Sequence, residues 1–394
     1  MSITVCAILK ETDKICIEFG SYLIETFRKP CFDILIVDNG ISENARVYFE
    51  KIGVQLINGD SESFDSSRNI YLQKAEGDYI LILDADERLR PEAIPQILSF
   101  TQNKPEAYVA KLPVYNYIGN GKWAEFDAVR LIKNNEGFHY DGREMHSQLL
   151  DKEENPAYDS AVFLFAPIHH YDCLIQGKSK FKRSRNIGKL QKMLKENPED
   201  AISKMYLGLE YVAIHNFEEA EKIYKEALEL RPHSFYIKYF YMLLLNMFEE
   251  RDNETEKIAH YLIDNNRYLN VSYSILAKIR GKTDPYEAIE LLKEGLTKCE
   301  SRSAFFWNLG YFYKDIDANL SYNYYIQALM WNPELFRLEV YQKADGPNLY
   351  ECQNLIIENK SIFKLLENFA YSCSDIKGRE YYQAYVNEIE KCSK

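Results

Sequence analysis

SFDSSRNIYLQKAEGDYILILDADE, residues 63–87, runs from a helical period through a Gly77-Asp78 break into an apolar strand and an acidic turn. The helical spacing covers 65–76, and Tyr79 to Leu83 is apolar at every position, the pattern of a strand covered on both faces. Upstream, Ser2 to Leu9 reads as a strand, 15–29 as a helix, and Phe32 to Val37 as a strand that ends at Asp38-Asn39-Gly40. A helix over 43–52 and a strand from Val54 to Ile57 complete a βαβαβαβ order. That alternation predicts a largely parallel sheet covered by helices, with the ligand site at the carboxyl ends of its strands. Downstream come a helix from Pro91 to Phe100 and strands at Ala107 to Pro113, Ala128 to Ile132 and Ala161 to Ile168.

The chain has 394 residues, enough for two or three domains, and its 46% hydrophobic content supplies ordinary cores. Its 48 basic and 60 acidic residues leave a net charge of -12, which disfavours a nucleic-acid partner. The dense positive run is Lys178, Lys180, Lys182, Arg183, Arg185, Lys189, Lys192 and Lys195, read either as a solvated helix face or as a surface toward an anion or a membrane. Eight cysteines show no CxxC pair and no zinc spacing. MSITVCAILKE enters a strand pattern with no signal segment, and no apolar run approaches the ~20 residues that cross a bilayer. These features predict a cytoplasmic protein without a transmembrane segment, with peripheral membrane attachment left open.

After about residue 178 the period is helical almost throughout. Residues 201–232 resemble a tetratricopeptide (TPR) repeat through Leu207, Gly208, Tyr211, Ala220, Tyr224, Ala227 and Pro232. Residues 303–333 repeat the pattern with one residue fewer, through Phe306, Leu309, Gly310, Tyr313, Ala328 and Pro333, and 269–300 is a weaker copy with Ala288 and Leu292. Residues 235–265 and 335–394 are helical with degraded signatures. The division expected is a catalytic domain at 1–177, a basic helical connector at 178–200, repeats at 201–334 and a helical cap at 335–394. The array is a site for a protein partner, a peptide, or another copy of the chain.

Asp84-Ala85-Asp86-Glu87 is the sharpest chemical signal. Two carboxylates one residue apart at a strand terminus can divide two tasks, one on a ribose or a metal-bound water and one on a hard divalent ion. Such an ion neutralises a departing diphosphate. Asp38, closing ILIVDNG, either accepts a hydrogen bond from a base N–H or makes an Asx turn. Arg68 either meets phosphate, holds Asp84, or forms a structural ion pair.

VCAILKE at 5–11, LIVDNGISEN at 35–44, SSRN at 66–69 and ILILDADE at 80–87 together resemble family 2 inverting glycosyltransferases of the GT-A fold. With the attached repeats, the chain resembles the bacterial subgroup of peptide, bacteriocin and envelope-glycan glycosyltransferases. The resemblance implies an α/β GT-A-type domain followed by an all-α TPR-like domain. It implies a nucleotide-diphosphate sugar donor, with uridine the commonest nucleotide, and a peptide, protein or glycan acceptor. It places the backbone near Ile8 to Lys10, with Asp38 and Arg68, around the nucleotide, Asp84 toward the ribose or uracil, and Asp86 on Mn2+ or Mg2+.

In FDAVRLIKNNEGFHYDGREMHSQL, Arg130 and the Gly142 to His146 segment are similar to the subgroup's acceptor and base region, with one added residue and Ser147 where Glu is usual. An inverting transfer needs a general base at the acceptor. Glu144 is the first candidate and Asp141 the second; Glu144 can instead cap a turn or pair with Arg143. His146 is a substrate-positioning group, a base or a packed histidine. His170, in PIHHYD, resembles the family's terminal histidine near metal or pyrophosphate, with Asp172 in place of glycine. Trp123 is an acceptor-side aromatic or a core residue. The competing readings are an interaction scaffold built on a degenerate transferase domain, and a nucleotidyltransferase, which the missing Gly-rich loop with its Lys disfavours.

Overall fold

The computed structural model describes residues 1–60, 64–103, 107–142, 147–175, 179–300 and 302–344, together with Ile356 and Asn387. Glu144 and His146 therefore lie outside the described residues, as does most of the cap expected at 335–394. Two compact units are present: Met1–Tyr115 with Phe126–His170, and Asn116–Glu125 with the chain from Tyr171 onward.

In the first unit β1 (Ile3–Leu9), α1 (Asp13–Thr26), β2 (Phe32–Asp38), α2 (Glu43–Lys51), β3 (Gln55–Asn58), α3 (Phe64–Lys74) and β4 (Tyr79–Ile82) follow one another as the alternation predicts. β5 (Glu87–Leu89), α4 (Ile94–Asn103) after a short 3-10 turn, β6 (Val109–Gly119) and β7 (Lys122–Lys133) come next. β8 (His139–Tyr140), β9 (Leu149–Leu150), α5 (Ala157–Ser160), β10 (Val162–Phe163) and β11 (Ile168–His170) complete it. The main sheet runs β3-β2-β1-β4-β7-β6-β11-β5, with β10 beside β6, and β8 pairs with β9 separately. β1, β2, β3 and β4 are mutually parallel, and β7 joins β4 antiparallel.

Alternate strand residues serve opposite faces. Ile3, Val5, Ala7, Leu9, Tyr79, Leu81 and Leu83 share a core with Phe19, Leu23, Phe49 and Ile97 of α1, α2 and α4. Cys6, Leu35, Val37, Ile80 and Ile82 share another with Tyr71 and Ala75 at and beyond α3. A period of two with both faces apolar makes the continuous hydrophobic run of β4.

The second unit is helical: α6 (Ser179–Glu196), α7 (Ala201–Ala213), α8 (Phe217–Leu230), α9 (Phe235–Leu245), α10 (Asp252–Asp264), α11 (Leu269–Arg280), α12 (Pro285–Lys298), α13 (Ser303–Tyr313) and α14 (Ala318–Trp331). The helices α7, α9, α11 and α13 begin at 201, 235, 269 and 303, a constant step of 34 residues, the TPR period. The segment at 235–265, with its degraded signature, is thus a full helix pair.

At the seventh position past each of these starts stand Gly208, Met242, Leu276 and Gly310, and the second helices bury Tyr224, Ala259, Leu292 and Tyr325 at their matching place. A Cβ on Gly208 would fall 2.9 Å from the Tyr224 ring, and one on Gly310 would fall 2.9 Å from Tyr325. In the two middle pairs Met242 and Leu276 stand in place of the glycine, and Ala259 and Leu292 in place of the tyrosine, which erases the motif.

Asp200, Ser234, Asp284 and Asp317 cap helices of this unit with side-chain acceptors. The hairpin tip Asn116–Glu125 also belongs to it, turning through Gly119, Asn120 and Gly121 at φ of 86°, 53° and 70°. There Trp123 meets Trp307 edge to face at 5.1 Å, and Trp307 meets Tyr325 at 5.2 Å. The buried Glu125 carboxylate accepts from the Ala304 N–H at the start of α13, 3.3 Å away.

Between α8 and α10 an ion-pair network is a pH-sensitive feature of the unit. Arg251 Nη2 donates to Glu221 at 3.0 Å and to Glu254 at 2.6 Å, and Lys225 reaches Glu221 at 2.7 Å. Hydrogen bonds from Arg251 and Lys225 hold the Glu221 carboxyl at about 2, against an ordinary 4.5. A carboxyl depressed in the folded state stabilises fully above ~4.5, and the contribution is lost as pH falls toward 2. With Glu221 27% exposed, screening reduces this to about 1–2 kcal/mol. Glu221→Gln should lower stability by that amount at pH 7 and have little effect at pH 2, read by urea unfolding; equal stability at pH 7 would remove the network from the account.

Candidate active site

The four parallel strands end at one edge, so their carboxyl termini gather the polar residues. Leu9 pairs with Asp38, and β4 runs beside β1 until Cys6 meets Ile82, which sends Asp84 out over the same edge. β7 meets β4 as Leu81 with Leu131, so Arg130, next along, arrives beside the turn after β4.

Asp38 is buried and its carboxylate is fully engaged. Oδ1 accepts from the backbone N–H of Gly40 at 2.8 Å and Ile41 at 3.0 Å, and Oδ2 accepts from Arg46 Nε at 2.5 Å. Burial pushes this carboxyl up, but the Arg46 bond and the two backbone N–H groups outweigh it and hold it below the ordinary value. The Asx turn exists, and Arg46, unremarked in the sequence, is its ionic partner. Next to it Asn39 Oδ1 accepts from Ser67 Oγ at 2.5 Å, and Ser67 Oγ also receives the Asp60 N–H at 2.9 Å. A Cβ on Gly59 would lie 2.0 Å from Asn39 Oδ1, so only glycine lets β3 leave the sheet here.

The DADE turn closes on itself. The Asp84 N–H donates to Glu87 Oε2 at 2.9 Å, and the Glu87 N–H donates to the Asp84 carbonyl at 2.9 Å. Arg130 spans both acids, 2.5 Å from Glu87 Oε1 and 3.5 Å from Asp84 Oδ2. Burial pushes the Glu87 carboxyl up while Arg130 pulls it down. Burial also works against the Arg130 charge, but the Glu87 and Asp84 carboxylates win and keep the guanidinium protonated. Glu87 was visible in the motif without a role; it is the buried acid that fixes the turn and anchors Arg130.

Asp86 is brought to His170 by strand pairing. β5 and β11 are antiparallel with Glu87 opposite His170, which sets His170 Nε2 3.4 Å from Asp86 Oδ1. Asp86 and His170 are thus a carboxylate and an imidazole whose ligand atoms lie within 4.8 Å of each other. A carboxylate oxygen and an imidazole nitrogen at this spacing fit two ligands of a divalent cation, whose oxygen ligands stand about 2.0–2.6 Å from the ion.

Arg68 lies on α3, its Nη1 3.3 Å from Ser147 Oγ and its guanidinium 5.3 Å from the Tyr140 ring centre. Asn69 clasps the β8 backbone, donating to the Tyr140 carbonyl at 3.1 Å and accepting its N–H at 2.7 Å. Tyr71 and Tyr140 join hydroxyls at 3.2 Å, and burial pushes both phenols up. Asp141 follows directly, partly buried, its N–H on the Gln148 carbonyl at 3.1 Å. Ile8 is half-buried in β1 and Lys10 is exposed past its end. Trp123 is 1% exposed and packed on Trp307. Asn69, Tyr71 and Tyr140 carried no sequence signal beyond an Asn after Arg68 and two tyrosines at distant positions.

The strand ends of this parallel sheet thus present an acidic turn, a carboxylate–imidazole pair suited to a cation and a buried arginine. Residues 23–159 match the family model described as glycosyl transferase family 2, so the N-terminal unit holds a family 2-type domain, and a TPR-like array follows it in the chain. A TPR repeat-containing protein of Synechococcus elongatus is 24% identical over 242 residues, a match that spans 57% of this chain and 57% of that protein.

Among solved structures, PilF of Pseudomonas aeruginosa is similar over 53% of this chain and 86% of its own, at 14% identity and a TM-score of 0.40. MamA of Desulfovibrio magneticus is similar over 39% of this chain and 86% of its own, at 12% identity and a TM-score of 0.34. Among the described residues no helix is long and apolar enough to cross a membrane.

Proposed function

We propose that the chain is an inverting glycosyltransferase that moves a sugar from a nucleotide diphosphate, with uridine the expected nucleotide, to a hydroxyl or thiol of a peptide, protein or glycan. The observation that supports it most is the DADE turn at the end of β4, with Asp86 beside His170. Asp86 and His170 would hold Mn2+ or Mg2+, which supplies positive charge to the leaving diphosphate. Asp38 keeps one oxygen on its own turn and offers the other, now on Arg46, to a base N–H. Arg68 brings positive charge toward phosphate, and Ile8 to Lys10 lie where backbone would meet the nucleotide. Arg130, locked to Glu87, orients Asp84 for the ribose.

A base from the segment after β8, Glu144 first and Asp141 or His146 otherwise, takes the acceptor's proton as the anomeric carbon is attacked from the face opposite the diphosphate. The helical array recruits the acceptor or a protein partner. The test is titration calorimetry with uridine and guanosine diphosphates, with and without Mn2+. Uridine diphosphate should bind in a metal-dependent way, and Asp38→Asn, which keeps an acceptor for the turn, should weaken it by about tenfold. No nucleotide binding in any arm would favour a scaffold.

A further inference from the structure

We propose that the exposed face of α6 docks the chain on an anionic lipid surface. The helix has two unlike faces. Arg183, Asn186 and Leu190 are 5%, 6% and 1% exposed, and the first two meet one buried acid: Arg183 Nη1 lies 2.9 Å from Glu210 Oε2 and Asn186 Nδ2 lies 2.7 Å from Glu210 Oε1. This network fixes the rotation of α6 against α7. The opposite side therefore presents Arg185, Lys192 and Lys195 exposed, with Lys189 half-exposed between them.

Positions 185, 189 and 192 are four and then three apart, one stripe of a helix, and 195 follows a turn later. Glu196 sits at the end of the same face. None of these four cations has a carboxylate within ion-pair distance among the described residues, whereas Lys204, Lys225, Arg251, Arg280, Lys282 and Lys298 of the same unit each have one.

The shape of the stripe selects its partner. Its charges run along about 15 Å of a convex helix instead of converging, so they cannot chelate one phosphate. Ser184, Gly188 and Gln191 share the exposed side and none offers the aromatic or aliphatic anchor that centres a protein interface. An extended sheet of anionic headgroups needs neither convergence nor an anchor, and a cluster of four Lys and Arg on one helix is the pattern that attracts it. The net charge of -12 does not prevent contact, because repulsion from charges beyond about 8 Å is screened at physiological salt.

The test is co-sedimentation of the full chain with phosphatidylcholine vesicles and with vesicles containing about a third phosphatidylglycerol. Binding should require phosphatidylglycerol and weaken sharply between low and high salt. Replacing Arg185, Lys189, Lys192 and Lys195 by Gln should weaken partitioning by about 600-fold, nearly three orders of magnitude, at roughly fivefold per charge. The same change at Lys51, Lys152, Lys222 and Lys257, exposed residues elsewhere, should cost far less. Thermal melts establish that both variants are folded. Equal binding to both vesicle types, no binding, equal loss in the two variants, or capture of soluble polyphosphate without vesicle recruitment would overturn the proposal.

Discussion

Asp86→Asn is expected to lower sugar-nucleotide turnover by about a thousandfold or more, with the response to added Mn2+ removed. The side chain is 8% exposed and faces His170 across 3.4 Å, so its carboxylate charge has no solvent substitute. Asparagine keeps the shape and loses the charge, which separates a ligand role from a packing role. Asp84→Asn should cost less, about ten- to a hundredfold, because Asp84 is 45% exposed and touches Arg130 only at 3.5 Å. Thermal melting of the Asp86 variant should be unchanged or raised, since a buried carboxylate placed for function is seldom placed for stability. Retained turnover within a factor of three would remove Asp86 from the chemistry.

Glu210→Ala is expected to destabilise the helical unit by about 3–5 kcal/mol, the cost of leaving a buried charge without its partner. The stranded groups are the Arg183 guanidinium and the Asn186 amide, both bonded to Glu210 and both buried. For a unit of this size that is a fall of about 10 °C in its melting temperature. Pairing Arg183→Met with Glu210→Leu should recover most of it, because removing both charges also removes their desolvation. If Glu210→Ala melts with the parent, α6 is not held by this network.

What the sequence made legible follows from how each signal is built. The parallel core was readable because strands buried on both faces must be apolar throughout, as Tyr79 to Leu83 are, and because Asp38 and Asp84 stand at their ends. The repeats at 201 and 303 were readable because glycine and tyrosine face each other there. Those starting at 235 and 269 were faint because Met242 and Leu276 stand where the motif has glycine, and Ala259 and Leu292 where it has tyrosine.

Site residues brought in by pairing between distant strands were harder to see. Nothing local to Glu87 says that β11 will lie against it and deliver His170, or that Arg130 will reach it from β7. Arg46 was hidden for the opposite reason: a charged residue on a surface helix looks solvated until Asp38 is seen beneath it. The hairpin tip shows the same limit, since Trp123 in NGKWAEFDA carries no sign of its packing on Trp307, far along the chain.

The most direct measurement is mass-spectrometric detection of nucleotide diphosphate and free sugar from a panel of UDP- and GDP-sugars, with Mn2+, Mg2+ or chelator, water standing in for the acceptor. A glycosyltransferase should release diphosphate from at least one donor, only with metal, and not as Asp86→Asn. Donor that stays intact under every metal condition, with no nucleotide bound, would contradict the assignment and leave a scaffold in its place.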